Sequence, residues 1–467
     1  MRFFEILGTL YEYFISSKHK DKILGIRIKE SSEKLGIVFV KFAQVLSTRY
    51  DLLDEEDCKA LQTLLEDSNK KIPYDVINKI FINDFGKKPE DIFLEFDKDP
   101  VACASIAQVH KAKLHKGEDV AIKIRRPYIG EKIKKDFRLL ILFSRFMSIF
   151  SSNIRKISMT QRIKEMKSWI KKEIDFDNEK KNLWRIKNIH DFCDGKSFKH
   201  YKGIGFFPRP YDDYCSKNVI TMDYIDGYTI LEKDRILNDP EYDVYSSLKA
   251  YIGIAIYDLL NSKRFFIQVD PHPANFIVMK NGGAANIDAG MFIELEGIEL
   301  QRVKEVFILL YSNNPERLTR LVLDMTNKKI SYYKKLFPDI KAYVDEARKR
   351  DIGYWFIELL RIALKHKLKL PLEFTAFGRA AIVMDGTIKS FDKNISTIEL
   401  IGEELEDELR KRIINNIKSI DYMPVVYNIT EKLKDSPQTL NKIIDRYYDK
   451  PKNILHDLKS VTDYIRK

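Results

Sequence analysis

The sequence predicts an α+β chain in which a helical leading segment runs into a small sheet-containing lobe and then a helical lobe. Two observations carry this. Strand-like alternation is confined to short runs, chiefly residues 101–110, 119–125 and 219–224. Apolar residues at helical spacing fill most of the rest, so strands and helices are segregated rather than interleaved.

The elements follow in order. Phe3, Phe4, Leu7, Leu10, Tyr11 and Phe14 fall at helical spacing and predict an amphipathic first helix. A second helix is expected over 36–50 and a third over 54–65, with Asp54 as its N-cap. The runs 101–110 and 119–125 flank the turn signal His115-Lys116-Gly117, which predicts a hairpin with Lys123 near the end of its second strand. Helical patterns return from Ile129 to about Ile189, and a strand over 219–224 ends at Asp226-Gly227. Helices then resume to about Phe265. Short strands at 276–279 and 285–287 surround the turn Asn281-Gly282-Gly283, and the chain reads as helical from Glu294 onward. The expected organisation is a helical extension (1–95), a sheet-containing lobe with a helical insertion (96–225), a helical lobe (226–400) and a helical tail (401–467).

Composition narrows the class. The chain has 467 residues, 44% hydrophobic and 32% charged, enough for a sizeable core and unlike a disordered protein. The net charge is +12, and residues 111–172 alone carry 18 Lys and Arg against 5 Asp and Glu. One basic region therefore suits nucleotide phosphates, anionic lipid or nucleic acid, with a solvated helical face as the plain alternative. It carries no nucleic-acid-binding motif, and no nucleic-acid partner is expected. Cys58, Cys103, Cys193 and Cys215 form no CxxC pair and read as reduced thiols of a cytoplasmic protein, without zinc. The first residues lack a small-residue cleavage site, and no run reaches the roughly 18 apolar residues of a membrane span. The apolar stretch 137–150, flanked by Lys132, Lys134, Lys135, Arg155 and Lys156, instead predicts peripheral contact with an anionic membrane surface. The Phe3 to Phe14 stripe offers a second contact, and packing into the core is the competing reading for both.

Three motifs then stand in a telling order. Val120-Ala121-Ile122-Lys123 is the V-A-I-K of a strand whose lysine grips ATP phosphates. Asp270-Pro271-His272-Pro273-Ala274-Asn275 has the D-x-x-x-x-N spacing of a catalytic loop, and Asp288-Ala289-Gly290 supplies D-x-G. The intervening turn brings Asn275 and Asp288 together as hard oxygen ligands for Mg²⁺, while Asp270 orients the attacking hydroxyl. Glu179, on a helix after the lysine strand, is the candidate partner for Lys123. These parts predict a protein-kinase-like fold with ATP or ADP and Mg²⁺ as cofactors, and with Lys123, Glu179 and Asp270 as catalytic residues.

Further motifs carry a family resemblance. Lys41-Phe42-Ala43-Gln44 resembles a K-x-G-Q motif, residues 101–110 (VACASIAQVH) resemble an Ala-rich nucleotide loop, and Glu173-Ile174-Asp175 resembles E-x-D. Over roughly residues 30–330 the chain resembles the UbiB family of atypical kinases, also called the ABC1 or aarF-domain kinases. The resemblance places Glu179 as the lysine-paired glutamate. It implies nucleotide contacts from Ala102, Ala104, Ser105, Ala107, Lys123, Asp223 and Tyr224. It also implies an occluding constellation of Lys41, Gln44, Glu173 and Asp175, in which the K-x-G-Q helix covers the place where a protein substrate would dock. ATPase activity, lipid partners and isoprenoid quinone (ubiquinone) biosynthesis are implied with it. Lys41 and Gln44 are i and i+3 and project from one helical face.

The sequence departs from the family pattern. Ala43, Ala107 and Ala274 replace glycines, Ala289 replaces the Phe of D-F-G, and Gln268 stands where the family has His. Many bacterial members end in a membrane-spanning hairpin, whereas the tail here is charged throughout. Two other readings stay open: a non-catalytic ATP-gated pseudokinase, favoured by these replacements, and a small-molecule kinase resembling aminoglycoside phosphotransferases.

Overall fold

The computed structural model describes residues 2–47, 53–62, 64, 71–150, 159–194, 207–311, 314–347, 350–397 and 399–400. The expected tail over 401–467 lies outside them, as do residues 48–50, 63 and 65 of the expected second and third helices. The chain divides into two compact units, Met1–Ser247 with Gln268–Ile293, and Leu248–Ile267 with Glu294–Lys467. All the candidate site residues belong to the first.

The first unit opens with helices α1 (Arg2–Leu10), α2 (Leu24–Leu35), α3 (Ile37–Leu46) and α4 (Glu55–Gln62). A single residue, Gly36, separates α2 from α3 with φ +91° and ψ −169°. That region of backbone space is open essentially to glycine alone, so the sharp turn that aims α3 depends on it. Ala43 on α3 packs with Leu61 and Leu64 in a small core of this helical segment. The methyl that departs from the family's glycine is thus buried filling. The helix α2 was not visible as a separate element in the sequence.

Next come α5 (Tyr74–Phe85) and the short α6 (Pro89–Ile92). The sheet consists of β1 (Glu95–Phe96), β2 (Ala102–Cys103), β3 (Ala107–Lys113), β4 (Asp119–Arg125) and, further along the chain, β5 (Val219–Asp223). All pairings are antiparallel, in the order β1-β3-β4-β5, with β2 also on β3. The expected strand over 101–110 is therefore two strands: the backbone reverses at 104–106, where Ala104 N–H donates to Ala107 C=O at 2.9 Å. The β3–β4 turn is as expected, with Gly117 at φ +97°. Alternation along β4 sends Val120, Ile122 and Ile124 into a core with Ile77 and Phe81 of α5. Lys123, at the opposite parity, faces the other side of the sheet.

That side leads to α7 (Ile129–Phe150), α8 (Met159–Glu173) and α9 (Phe176–Asp194). After β5 come β6 (Tyr228–Thr229), α10 (Lys233–Asn238), α11 (Val244–Asn261), β7 (Arg264–Gln268), β8 (Phe276–Val278) and β9 (Ala284–Asn286). As expected, β8 and β9 form an antiparallel hairpin, and β6 adds to β8. The second unit holds most of α11 and β7 together with most of β10 (Phe292–Glu296), then α12 (Gly297–Tyr311), α13 (Pro315–Met325), α14 (Tyr333–Ala347), α15 (Ile352–Lys365) and α16 (Leu372–Phe391). Its core centres on Trp355, whose ring lies 5.8 Å from Phe307 and whose indole N–H donates to Ala347 C=O. Among the described residues no helix is long and apolar enough to cross a membrane. Cys58, Cys103 and Cys215 are free thiols; Cys193 lies where side chains are not described.

The two apolar stripes divide between core and surface. On α7, Ile133 and Phe137 are buried while Leu142 is exposed; the side chains of 143 and 146–150 are outside the described set. On α1, Ile6 is buried, yet Phe4 is 75% exposed and Phe3 is exposed as well, as is Tyr11 just beyond the helix. Arg2 anchors α1, bonding Asp136 of α7 at 3.0 and 2.9 Å and donating to Leu35 C=O at the end of α2.

Candidate active site

The lysine of β4 meets two carboxylates. Lys123 Nζ lies 2.7 Å from Glu179 Oε1 and 3.3 Å from Asp288 Oδ1. Asp175 makes the first contact possible by capping α9: its carboxylate accepts from Asn178 N–H at 3.2 Å. That cap starts the helix so that Glu179 falls in its first turn, fully buried. Ala289 N–H also bonds the Glu179 carboxylate. Its Oε2 has no hydrogen-bond partner among the described residues.

Further bonds from α9 hold the D-x-G segment. Asn182 Nδ2 donates to Ala289 C=O at 2.8 Å, and Asn178 Nδ2 to Gly290 C=O at 3.3 Å. From the other side Gln268 Nε2 donates to Asp288 C=O at 2.7 Å and to Asn286 Oδ1 at 3.2 Å. The backbone N–H of Asp288 completes this by donating to Asn286 Oδ1 at 3.1 Å. Asn178, Asn182 and Asn286 were not picked out in the sequence. The first two are i and i+4 on the helix of Glu179, so their shared face was the available signal. Gln268, noted only as a departure, proves to be a backbone holder.

The β8–β9 hairpin carries the remaining metal candidate. Ile287 N–H donates to Asn275 C=O at 3.0 Å, which ties the residue before Asp288 to Asn275. Asp270 is half-buried, and its carbonyl accepts from His272 N–H at 2.8 Å, closing the turn of the D-x-x-x-x-N segment.

The leading helices reach the same place. Lys41 of α3 is 7% exposed and lies 2.5 Å from Glu173 Oε1 at the end of α8. A Cβ placed on Gly290 would stand 3.6 Å from Glu173 Cα, so this ion pair sits against the D-x-G turn. Of the two expected carboxylates only Glu173 meets Lys41. Asp175 is exposed and occupied as the helix cap. Gln44 Nε2 is buried without a hydrogen-bond partner among the described residues.

The charges respond to one another. Burial works to lower the Lys123 ammonium, but Glu179 and Asp288 outweigh it and raise the group above its ordinary value. Burial pushes the Glu179 carboxyl up, and the Asp288 charge adds to it against the pull of Lys123. Asp288 resists burial because Lys123, and next Lys41, hold its carboxyl below the usual range. Two cations thus face three carboxylates within one buried cluster.

The β2–β3 loop holds the other candidates. Ala102 and Ala107 begin the two strands, and Arg126 clasps the loop, donating from Nε to Ala104 C=O at 3.0 Å and from N–H to Ile106 C=O at 2.9 Å. Ser105 is buried, and its Oγ has no partner among the described residues. Asp223 is placed differently from the cluster: its carboxylate accepts from Arg209 N–H and Tyr211 OH, both at 2.8 Å. The Tyr224 ring lies under Lys111 Nζ at 4.5 Å.

Mg²⁺ fits this set of donors in one particular way. Among the described residues no three His, Cys, Asp or Glu side chains gather into a cage. Asp288 and Asn275 offer two hard oxygens, the number expected where phosphate oxygens and water complete an octahedron.

Comparison with known proteins shows the family. The family model described as the ABC1 atypical kinase-like domain matches residues 64–322, more than half of the chain. A probable protein kinase UbiB of Actinobacillus pleuropneumoniae serotype 7 (strain AP76) is 25% identical over 395 residues, 81% of this chain and 70% of that protein. Another, from Shewanella piezotolerans (strain WP3 / JCM 13877), is 23% identical and spans 95% of this chain and 83% of its own. Among solved structures, Rv3197 of Mycobacterium tuberculosis, determined with erythromycin, aligns with a TM-score of 0.47 and 18% identity over 76% of this chain and 91% of that one. With its kinase-like α+β fold, the chain belongs to the UbiB family of ABC1 atypical kinases.

Proposed function

We propose that this chain binds Mg-ATP in the first unit and hydrolyses it, or transfers its phosphoryl group to a small acceptor. The observation that supports this most is the convergence of Lys123, Glu179 and Asp288, with Asn275 tied to the neighbouring backbone. In this reading Lys123, steadied by Glu179, grips the phosphates, and Asp270 orients the nucleophile. Asp288 and Asn275 hold Mg²⁺, which neutralises phosphate charge when bound. The loop 102–107 lies over the phosphates, with the Ser105 hydroxyl buried and available to them.

The Lys41–Glu173 pair supports an occluded site. It fixes α3 against the D-x-G turn, where it would exclude a protein substrate while admitting water or a small molecule. That favours ATP hydrolysis over conventional protein kinase activity. The pseudokinase reading draws on Lys123 being engaged by both carboxylates and on Ala289, whose buried methyl cannot supply the packing of a Phe.

A lipid-facing role rests on the surface of the same unit. A groove of about 770 Å³ between α1 and α7 is lined by residues including Phe3, Tyr128, Lys132, Lys135, Arg138 and Leu139. Tyr128, at φ 61° and 80% exposed, is held in a left-handed conformation that is unfavourable for a bulky residue. Exposed rings beside lysines suit the headgroup region of an anionic bilayer, and the family resemblance extends this reading to lipid or isoprenoid quinone metabolism. ATP hydrolysis by the purified protein, with and without phosphatidylglycerol vesicles, tests the proposal. Mg-dependent release of phosphate supports it. Nucleotide binding without turnover under both conditions would favour the pseudokinase reading.

A further inference from the structure

Beneath the β2–β3 loop runs a buried polar chain that the three kinase motifs do not use. Gln108 of β3 is 1% exposed. Ile72, on the segment entering α5, donates its N–H to Gln108 Oε1 at 2.6 Å. A backbone N–H can only donate, so Oε1 faces Ile72 and Nε2 faces His110. The Gln108 Nε2 to His110 Nε2 separation is 2.8 Å. The amide donates there, so His110 Nε2 accepts and the ring proton sits on Nδ1. That proton is donated to Asp97 C=O at 2.7 Å.

The surroundings keep this ring neutral. His110 is fully buried and stacks on Phe96 with ring centres 5.1 Å apart. Burial holds the imidazole below its ordinary value, against the opposing pull of Asp97 and Asp99; Lys71, on the segment entering α5, acts with the burial. Gln108 Oε1 also accepts from the Cys103 thiol of β2 at 3.7 Å. One side chain therefore joins the entry to α5, the short arm of the nucleotide loop and the histidine beneath it. The β2 arm is short, its pairing with β3 covering Ala102↔Val109 and Cys103↔Gln108, so Gln108 holds it from below while Arg126 holds the loop that follows through Ala104 and Ile106.

We infer that Gln108 is a positioning residue for nucleotide binding, fixing the loop 102–107 from below so that Ser105 and the loop backbone meet the phosphates. The inference rests on the nucleotide reading of the loop. It separates the loop's grip on nucleotide from the chemistry at Lys123, Asp270 and Asp288. Loss of Gln108 then weakens binding and leaves the turnover of bound nucleotide nearly intact.

Two substitutions test it. Gln108→Leu removes the bonds to Ile72, Cys103 and His110. Gln108→Glu keeps the acceptor for Ile72 N–H and Cys103 but has no donor for neutral His110, nor for Ile72 C=O, which the amide meets at a long 3.5 Å. The new carboxylate raises the imidazole pKa, so the contact returns once His110 is protonated and donates. The defect in Gln108→Glu is therefore present at high pH and largely disappears as pH falls through the raised pKa. Mg-ADP affinity is measured by calorimetry at about pH 8 and about pH 6, on either side of the histidine range, with kcat followed in parallel. Gln108→Leu is expected to bind about tenfold more weakly at both pH values, the scale of a lost buried hydrogen bond. Gln108→Glu should show that loss at the higher pH and recover most of it at the lower. A folded Gln108→Leu that binds as tightly as wild type overturns the inference. So does a Gln108→Glu defect indifferent to pH, which alone decides the matter should the leucine variant fail to fold. Wild-type protein that binds no Mg-ADP at either pH would overturn the nucleotide reading itself, and this inference with it.

Discussion

Lys41→Met keeps an apolar stem of similar length and removes the charge that faces Glu173. At 2.5 Å the gross attraction is about 7 kcal/mol for an effective dielectric of about 20, before the cost of desolvating both ions. The net loss on removing one partner of such a pair is smaller, about 3 kcal/mol, because Glu173 is left poorly solvated beside the D-x-G turn. The penalty falls on the opening of α3, since that helix bears the lysine and turns on Gly36. Hydrogen exchange of the α3 amides reads local opening directly, and about 3 kcal/mol corresponds to roughly a hundredfold faster exchange. Glu173→Gln should also accelerate exchange, by less, because Lys41 retains its attraction to Asp288. The double variant should fall short of the sum by about 1 kcal/mol or more, the mark of a direct interaction. Turnover or nucleotide preference should change in Lys41→Met without global unfolding. Unchanged α3 exchange, or strictly additive effects, would refute the argument that this pair fastens α3 over the site.

Three other outcomes are expected. Asp270→Asn should keep Mg-nucleotide affinity within about twofold while lowering turnover at least about a hundredfold, the scale of lost general-base assistance; calorimetry and phosphate release measure the two. Asn182→Leu should weaken Mg-nucleotide binding about tenfold, because Ala289 C=O loses its donor and the Asp288 backbone loosens; thermal-shift titration with Mg-ADP would expose a null effect. Phe4→Asp combined with Tyr128→Asp should reduce co-sedimentation with phosphatidylglycerol vesicles at low salt without altering nucleotide affinity, whereas undiminished binding would remove this surface from the lipid reading.

The parts of this site legible in the sequence share a cause: each sits in a short segment whose local pattern fixes its geometry. The V-A-I-K run placed Lys123 near the end of the second hairpin strand, and the turn at Asn281-Gly282-Gly283 told that Asn275 and Asp288 approach each other. Three features escaped for different reasons. The reversal inside 101–110 is made by Ala104, Ser105 and Ile106, without a glycine or proline to mark it, so the run read as one strand. The apolar run of β7, Arg264–Gln268, is too short to tell strand from helix by periodicity. The choice between Glu173 and Asp175 depended on where α8 stops and α9 starts, and helix ends are set by capping that two nearby acids can each supply. The clamp from Asn178, Asn182 and Gln268 onto 288–290 joins residues distant in sequence and follows only from the packed fold. The apolar stripe of α7 was legible as a stripe but not as a surface, because the helix buries Phe137 and exposes Leu142.

The central claim is that Asp288 holds a metal-bound nucleotide opposite Lys123. Calorimetric titration of the full chain and of Asp288→Asn with ADP, each with and without Mg²⁺, tests it most directly. Wild type should bind tightly only with Mg²⁺, and Asp288→Asn should lose at least about tenfold in affinity, because one full negative charge leaves the metal's shell. Equal Mg-ADP affinity in the two proteins, or wild-type binding indifferent to Mg²⁺, would contradict it.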